Sequence, residues 1–282
     1  MQQISKKIEA WLHRRRWARR VIREMRKADG IIVSHTKSGR TWLRVMISHV
    51  YHLEYGVPAD DLIKFDNLHN INPSIPKLFF FRDTAIPTFS LRGKSISLPR
   101  DRKTLFLIRD PRDVAVSFYF HIKNRASYRE LDRKGITDVD RSLELYDFVM
   151  DKRLGVQRVI EHMNRWHDVM QGMPSRMVVK YEEMRAGPVD VLGRVMSFLD
   201  REFGQDVISR SVEFASFENL SRKERDGFFK SDILRPGDAG GGDSHKVRRG
   251  KIGGYRDYFT DNQSACIDRL VLDYLNPVYG YK

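Results

Sequence analysis

Apolar residues along this chain alternate between two patterns: short unbroken runs, and longer stretches in which they return every third or fourth position. Ile31–Val33 is the first run. It ends in the polar loop Ser34–Arg40, and Thr41–Tyr51 follows with Trp42, Val45, Met46, His49 and Val50 at helical spacing. Leu78–Phe81 and Thr104–Ile108 read as further buried strands. Asp110-Pro111 then opens a helix, with an Asp cap and Pro at the first helical position. Met177–Val179 is a fourth strand-like run, Pro188–Leu199 reads as a helix, and residues 262–276 read as a closing helix that stops near Asn276-Pro277. This alternation predicts an α/β fold, a single domain with a central, mostly parallel sheet flanked by helices.

Three stretches depart from the alternation. Residues 1–29 are a basic, helix-favouring extension in which Trp11, Trp17, Val21 and Ile22 make a thin apolar stripe; Gly30 marks the break before a domain spanning 30–282. Such a helix either packs on its own domain with a solvated basic face or makes weak contact with an anionic membrane surface. Residues 123–142 are polar and rich in Arg and Asp, either an excursion over a site or plain surface. Residues 235–254 (RPGDAGGGDSHKVRRGKIGG) are glycine-rich and basic, which suits a mobile lid or a linker.

Composition narrows the partners. A chain of 282 residues with 41% apolar content can bury one sizeable core. The formal charge of +14 points to anionic partners: nucleic acid, membrane, or anionic small molecules and polymers. Nucleic acid is not expected, because the basic residues fall inside sheet-end segments and no helix-turn-helix or zinc spacing appears. A single cysteine, Cys266, rules out an internal disulfide and fits a reducing compartment. No apolar run approaches the roughly 18 residues of a membrane span, and the N-terminus lacks an apolar signal core. The expected location is cytoplasmic, with the basic helix allowing peripheral contact at the inner membrane face.

Three segments carry chemistry. IIVSHTKSGRTWLRVM, residues 31–46, is a strand, a small polar loop and a helix start, an arrangement that aims backbone N–H groups and a positive helix end at an anion. Lys37 adds a point charge, and Ser38 and Thr41 add hydroxyls. It is not a Walker A loop, since GxxxxGK[ST] is absent, and Lys37 on an ordinary strand-to-helix turn is the plainer reading. LFLIRDPRDVAVSFYFH, residues 105–121, places Arg109 at a strand end and Ser117 about two helical turns on, where both could hold a second phosphate. Alternatively Arg109 and Asp110 simply pair at the strand end. VRRGKIGGYRDYFT, residues 247–260, offers Arg248, Arg249 and Gly250 on a loop that either closes over a phosphorylated nucleotide or stays solvated.

At these segments the chain resembles the family of sulfotransferases that use PAPS (3′-phosphoadenosine-5′-phosphosulfate), especially its cytosolic and bacterial branches. TKSGRTW is similar to that family's 5′-phosphosulfate loop, usually PKSGTTW, with Thr36 and Arg40 as departures. RDPRDVAVSFYFH resembles its 3′-phosphate motif, and RRGKIGGYRDYFT resembles RKGxxGDWKNxFT, with Gly254 and Tyr255 where Asp and Trp are common. VKYEEM and ASFENL are weaker matches in the right order. The resemblance, collinear over roughly residues 30–275, implies a P-loop-like phosphate-binding loop and a cofactor site of Lys37, Ser38, Gly39, Arg40, Thr41, Trp42, Arg109, Ser117, Arg248, Arg249 and Gly250. In it Tyr181 touches the adenosine and Phe217 stacks on adenine. It further implies in-line transfer of a sulfuryl group to an acceptor hydroxyl, with PAP (adenosine 3′,5′-bisphosphate) leaving and Lys37 countering charge on the bridging oxygen. A sulfuryl group carries less charge than a phosphoryl group, so a Lys and a helix end can serve where phosphoryl transfer needs Mg²⁺; no metal is expected.

The general base departs from the family pattern. Relatives carry a histidine after the second strand, whereas FFFRDT, residues 79–84, stands here. Arg82 cannot serve as a base at ordinary pH. Asp83 can, and His69 in FDNLHNINP is the alternative; His121 is expected to line the acceptor pocket. The expected acceptor is a carbohydrate or glycolipid, with a small phenol or steroid-like alcohol next. A nucleotide-dependent kinase is the rival enzyme, disfavoured by the missing Walker A order.

Overall fold

The computed structural model describes residues 19–82, 90–91, 94–95, 99–124, 126, 140–231, 234 and 250–282. Strand β1 (Gly30–Ser34) lies between β2 (Leu78–Arg82) and β5 (Lys103–Ile108), and β6 (Arg176–Lys180) flanks β5. All three pairings are parallel. The short strands β3 (Ser90–Leu91) and β4 (Lys94–Ser95) form a separate antiparallel pair. Register sets Ser34 level with Arg82 and Leu107, and Ile108 level with Lys180, so the four C-terminal strand ends open onto one edge of the sheet.

Two apolar layers cover the sheet, which is why β1 and β5 read as unbroken apolar runs. Side chains alternate between the faces. Ile31, Val33, Phe106 and Ile108 join one core with the helices α4 (Pro111–Asn124), α5 (Leu145–Met150), α6 (Val156–Gln171) and α11 (Asp261–Tyr274). Ile32, Leu105 and Leu107 join the other with α2 (Arg40–Tyr55) and α8 (Pro188–Leu199). Helix α2 starts at Arg40 and runs beyond Tyr51 to Tyr55, where Gly56 at φ 67° ends it by supplying the left-handed cap. Helix α11 begins at a capping box between Thr260 and Gln263.

Residues 19–27 form helix α1. It buries Val21, Ile22 and Met25, and Val21, Met25 and the following Ala28 join the core that includes α4. That part of the basic segment is therefore integral to the domain, although it lies before the boundary expected at Gly30. Trp11 and Trp17 lie outside the described residues, as do most of 123–142 and all of 235–249. Among connections not read from the sequence, α9 (Gln205–Phe214) and α10 (Phe217–Arg225) matter most, because their junction reaches the edge of the sheet where the strands end.

Two buried histidines couple stability to pH. His49 on α2 stacks on Phe214 at 3.9 Å, with Nδ1 3.1 Å from Ser211 Oγ. Burial, then the nearby His52, Arg210 and Lys223, lower its pKa from 6.5 to about 4. Burial also pushes His162 well below its ordinary value. Both groups stay neutral in the fold and take up protons once unfolded. Stability should therefore hold above about pH 6.5 and fall toward pH 4, by up to ~1.4 kcal/mol per pH unit for each group. Urea denaturation at pH 7.5, 6.0 and 5.0 should show this decline, and His49→Gln should flatten it. An unchanged slope in the variant would assign the loss to other groups.

Candidate active site

The loop leaving β1 is shaped by its backbone. Lys37 has φ 78° and Gly39 φ 93°, left-handed values that curl successive N–H groups toward one concavity. Gly39 is the N-cap of α2 and no side chain caps the first turn, so its amides are left to an anion. The glycine is required for space as well as φ. A Cβ at Gly39 would stand 2.5 Å from Tyr181 Cδ2.

Tyr181 begins α7 (Tyr181–Ala186) directly after β6 and is the meeting point of the site. The Arg109 guanidinium lies 4.3 Å above its ring centre, and the Trp42 ring meets it edge-on at 5.9 Å. Its hydroxyl donates to Gly250 O at 3.3 Å. Burial raises the phenol's pKa, which keeps the ring a neutral packing surface. Gly250, at φ 61°, also faces Phe217: a Cβ there would be 3.5 Å from Phe217 Cδ2. Phe217 is placed by the cap of α10, where Ser216 Oγ accepts from Asn219 N, and by Trp42 Nε1, which donates to Ala215 O at 2.8 Å. Lys37 and Ser38 of the loop, Trp42, Arg109, Tyr181, Phe217 and Gly250 thus come together from five separate parts of the chain.

The RDPRD segment clasps the C-terminal segment. Arg109 does not pair with Asp110. Its Nη2 lies 3.4 Å from Asp113 Oδ2 and donates to Lys251 O at 3.0 Å, while Asp110 pairs with Arg112 at 2.7 Å. Asp113, not singled out from the sequence, accepts from Gly253 N at 2.9 Å and Tyr255 N at 3.0 Å. Burial, only partly offset by Arg109, raises its pKa. Arg112 also reaches Asp268 at 2.5 Å, and Tyr255 Oη donates to the same carboxylate. Arg109 Nε is buried without a hydrogen-bond partner among the described residues, which leaves a donor for a phosphate oxygen. Ser117, partly exposed, is one turn beyond Asp113 on the same face of α4.

Other expected residues fall differently. Arg40 turns its guanidinium across the strand ends, donating to Ser34 Oγ at 3.0 Å and Phe81 O at 3.5 Å, so it points toward the end of β2. His69 lies on the short helix α3 (Asn67–Ile71) and donates to Ile75 O at 2.7 Å, just before β2. Since Leu78 is level with Gly30 and Arg82 with Ser34, that position belongs to the entry side of the sheet, away from Lys37. Asp83, Arg248 and Arg249 lie outside the described residues. His35, also missed, is buried at the loop's start, its ring 5.3 Å from that of His162.

An uncapped helix start on the central strand and an arginine at the end of its neighbour define a P-loop-like α/β protein. The family model described as Sulfotransferase domain matches residues 27–275, and the chain belongs to that family. Among curated relatives, it is 27% identical to Cytosolic sulfotransferase 16 of Arabidopsis thaliana, over 88% of this chain and 76% of that protein. It is 24% identical to the Amine sulfotransferase of Oryctolagus cuniculus (88% and 80%) and to the Flavonol 3-sulfotransferase of Flaveria bidentis (86% and 80%). The fold is that of mouse sulfotransferase SULT7A1 complexed with PAP, at TM-score 0.58 and 17% identity, covering 88% of this chain and 84% of that one. Retinol dehydratase in a complex with retinol and PAP aligns at TM-score 0.60 and 18% identity, covering 88% and 81%.

Asp113 gives a direct test of the clasp. Asp113→Asn keeps the shape but offers one oxygen to two amides, so one buried N–H loses its acceptor, a cost of about 1–3 kcal/mol. Hydrogen exchange should speed up at Gly253 or Tyr255 and stay unchanged at Ile32. Unchanged protection at both amides would show that the segment is held by other contacts.

Proposed function

We propose that this chain transfers a sulfuryl group from PAPS to the hydroxyl of an acceptor alcohol, with a carbohydrate or glycolipid as the acceptor class. The observation that carries this reading is Tyr181, whose ring packs against Gly39 of the β1 loop, Arg109 of the β5 end and Gly250 of the C-terminal segment. When bound, PAPS supplies the activated sulfuryl group and departs as PAP. The residues fit it. The first-turn amides of α2 and Lys37 would take the 5′ side; Arg109 and Ser117, with Arg248 and Arg249 from outside the described residues, would hold the 3′-phosphate; Ser38, Thr41 and Gly250 would complete the cradle. Trp42, Tyr181 and Phe217 provide apolar surface for the nucleoside. The relatives solved with PAP support this assignment.

The acceptor hydroxyl needs a base, and the end of β2 is the place for one. Asp83 follows one residue after Arg82, and the Arg40 guanidinium bonded to Phe81 O would help keep that carboxylate ionised. His69 is the weaker candidate because its ring serves Ile75 O on the other side of the sheet. A carboxylate base favours a sugar or glycolipid over a phenol, because a sugar hydroxyl is the weaker acid and needs a positioned base. A positioned base contributes about 10²–10⁴-fold.

PAP should stabilise the protein in thermal-shift and calorimetric titrations; stabilisation by ATP-Mg²⁺ with none by PAP would favour a kinase instead. Lys37→Ala should reduce turnover far more than PAP affinity, because its counter-charge develops in the transition state. Arg109→Ala should mainly weaken PAP binding, by roughly 2–4 kcal/mol for a desolvated pair. The opposite pattern would reverse the two phosphate assignments.

The base is checked separately. Asp83→Asn should lower turnover by about a hundredfold or more with PAP affinity intact, and His69→Ala should do less. If His69→Ala abolishes turnover while Asp83→Asn retains it, the histidine is the base.

A further inference from the structure

Beside the outer edge of β2, where Phe65 bridges Leu78, lies a cavity of about 790 Å³ separate from the residues assigned to PAPS. Its wall is aromatic, made of Phe65, Phe79 and Phe80, and its volume is within the roughly 300–1,000 Å³ of small-molecule sites. It extends along β2 from the level of Leu78, which bridges Phe65, to Phe80, two residues before the strand's C-terminal end. Arg44 lines it, one turn of α2 beyond the Arg40 that reaches Phe81 O at the end of β2.

Its electrostatics are unlike those of a neutral pocket. Arg20, Arg23, Arg44 and Lys64 line it against two carboxylates, Glu24 and Asp66, a net charge of +2 among the described residues. One acid is already engaged, because Arg23 Nε donates to its neighbour Glu24 at 3.3 Å. Arg44 is held in place by stacking, its guanidinium 4.2 Å above the Phe80 ring. A stacked guanidinium presents its N–H donors around its edge, the geometry that suits a carboxylate, phosphate or sulfate.

The backbone marks the same place. Among the described residues, two that are not glycine adopt a left-handed φ: Lys37 in the phosphate loop and Phe65 at 51° in this wall. For a bulky residue that conformation costs on the order of 1–3 kcal/mol, and such strain gathers at ligand sites. It holds the Phe65 ring edge-on to Phe79 at 6.0 Å.

We propose that this cavity binds the non-reacting end of the acceptor and selects acceptors that carry an anionic group of their own beside an apolar or aromatic face. This rests on the sulfotransferase reading, and it narrows the carbohydrate or glycolipid class to acidic members. The aromatic wall takes the apolar face, Arg44 and Lys64 take the anion, and the hydroxyl is left to reach the end of β2.

Two matched pairs of probes test this on the PAP-saturated protein by calorimetry. They are 4-nitrophenyl β-D-glucuronide against 4-nitrophenyl β-D-glucoside, and 6-hydroxy-2-naphthoate against 2-naphthol. Within at least one pair the carboxylated member should bind about tenfold or more tightly, and Arg44→Gln should bring that ratio below about threefold with PAP affinity unchanged. Lys64→Gln, on an exposed position, is the second variant and should lower the ratio by about half or more. Ratios near one in both pairs, no binding by any of the four, or preferences untouched by both variants would overturn the proposal. Comparison between the pairs distinguishes sugar from phenol without bearing on the anion. If PAP itself does not bind, the sulfotransferase reading fails and takes this proposal with it.

Discussion

The contact between Gly39 and the Tyr181 ring fixes how the anion loop after β1 stands relative to the rest of the sheet edge. Parallel strands alone bring four loops to one side, but they do not set how closely those loops approach. Here the β1 loop passes against an aromatic ring from the end of β6, and the approach is so close that no side chain fits at position 39. The same ring carries Arg109 on its face and Gly250 at its hydroxyl. One neutral, buried tyrosine therefore sets the spacing between the anion loop, the Arg109 guanidinium and the C-terminal segment.

A second layer of organisation is the RDPRD turn. Its four charged residues are distributed over different partners: Arg109 to Lys251 O and Asp113, Asp110 to Arg112, Arg112 to Asp268, and Asp113 to two backbone amides. The helix that offers Ser117 is thereby tied to the segment that follows Arg248 and Arg249. A phosphate held by Arg109 would sense the position of Lys251 through a shared guanidinium. Asp113 completes the tie by contacting Arg109 and the amides of Gly253 and Tyr255.

Arg40 divides the loop's labour in a way its motif position conceals. Its backbone opens α2 at the anion loop, while its side chain crosses to Ser34 and Phe81 at the end of β2. Arg44, one turn on, continues the same cationic line along β2. The charge of +14 is thus partly ordered in space, with one arm of it at the nucleotide and another along the path proposed for the acceptor.

By itself the sequence determined the parallel α/β plan, because strands buried on both faces must read as unbroken apolar runs, and β1 and β5 do so. It also determined the anion loop and the family likeness, since these rest on residues adjacent in the chain: Lys37 to Trp42, and Arg109 to Ser117. Contacts between distant segments were not readable in this way. Asp113 looks like any acidic residue in a first helical turn until the fold sets Gly253 and Tyr255 against it, 140 and 142 positions away. His69 stands in the sequence as an alternative to Asp83, and its hydrogen bond to Ile75 O ahead of β2 is visible only in the fold. Spacing along a chain fixes which residues share an element, whereas which elements share an edge is decided by how the buried faces pack, and that information resides in tertiary contacts alone.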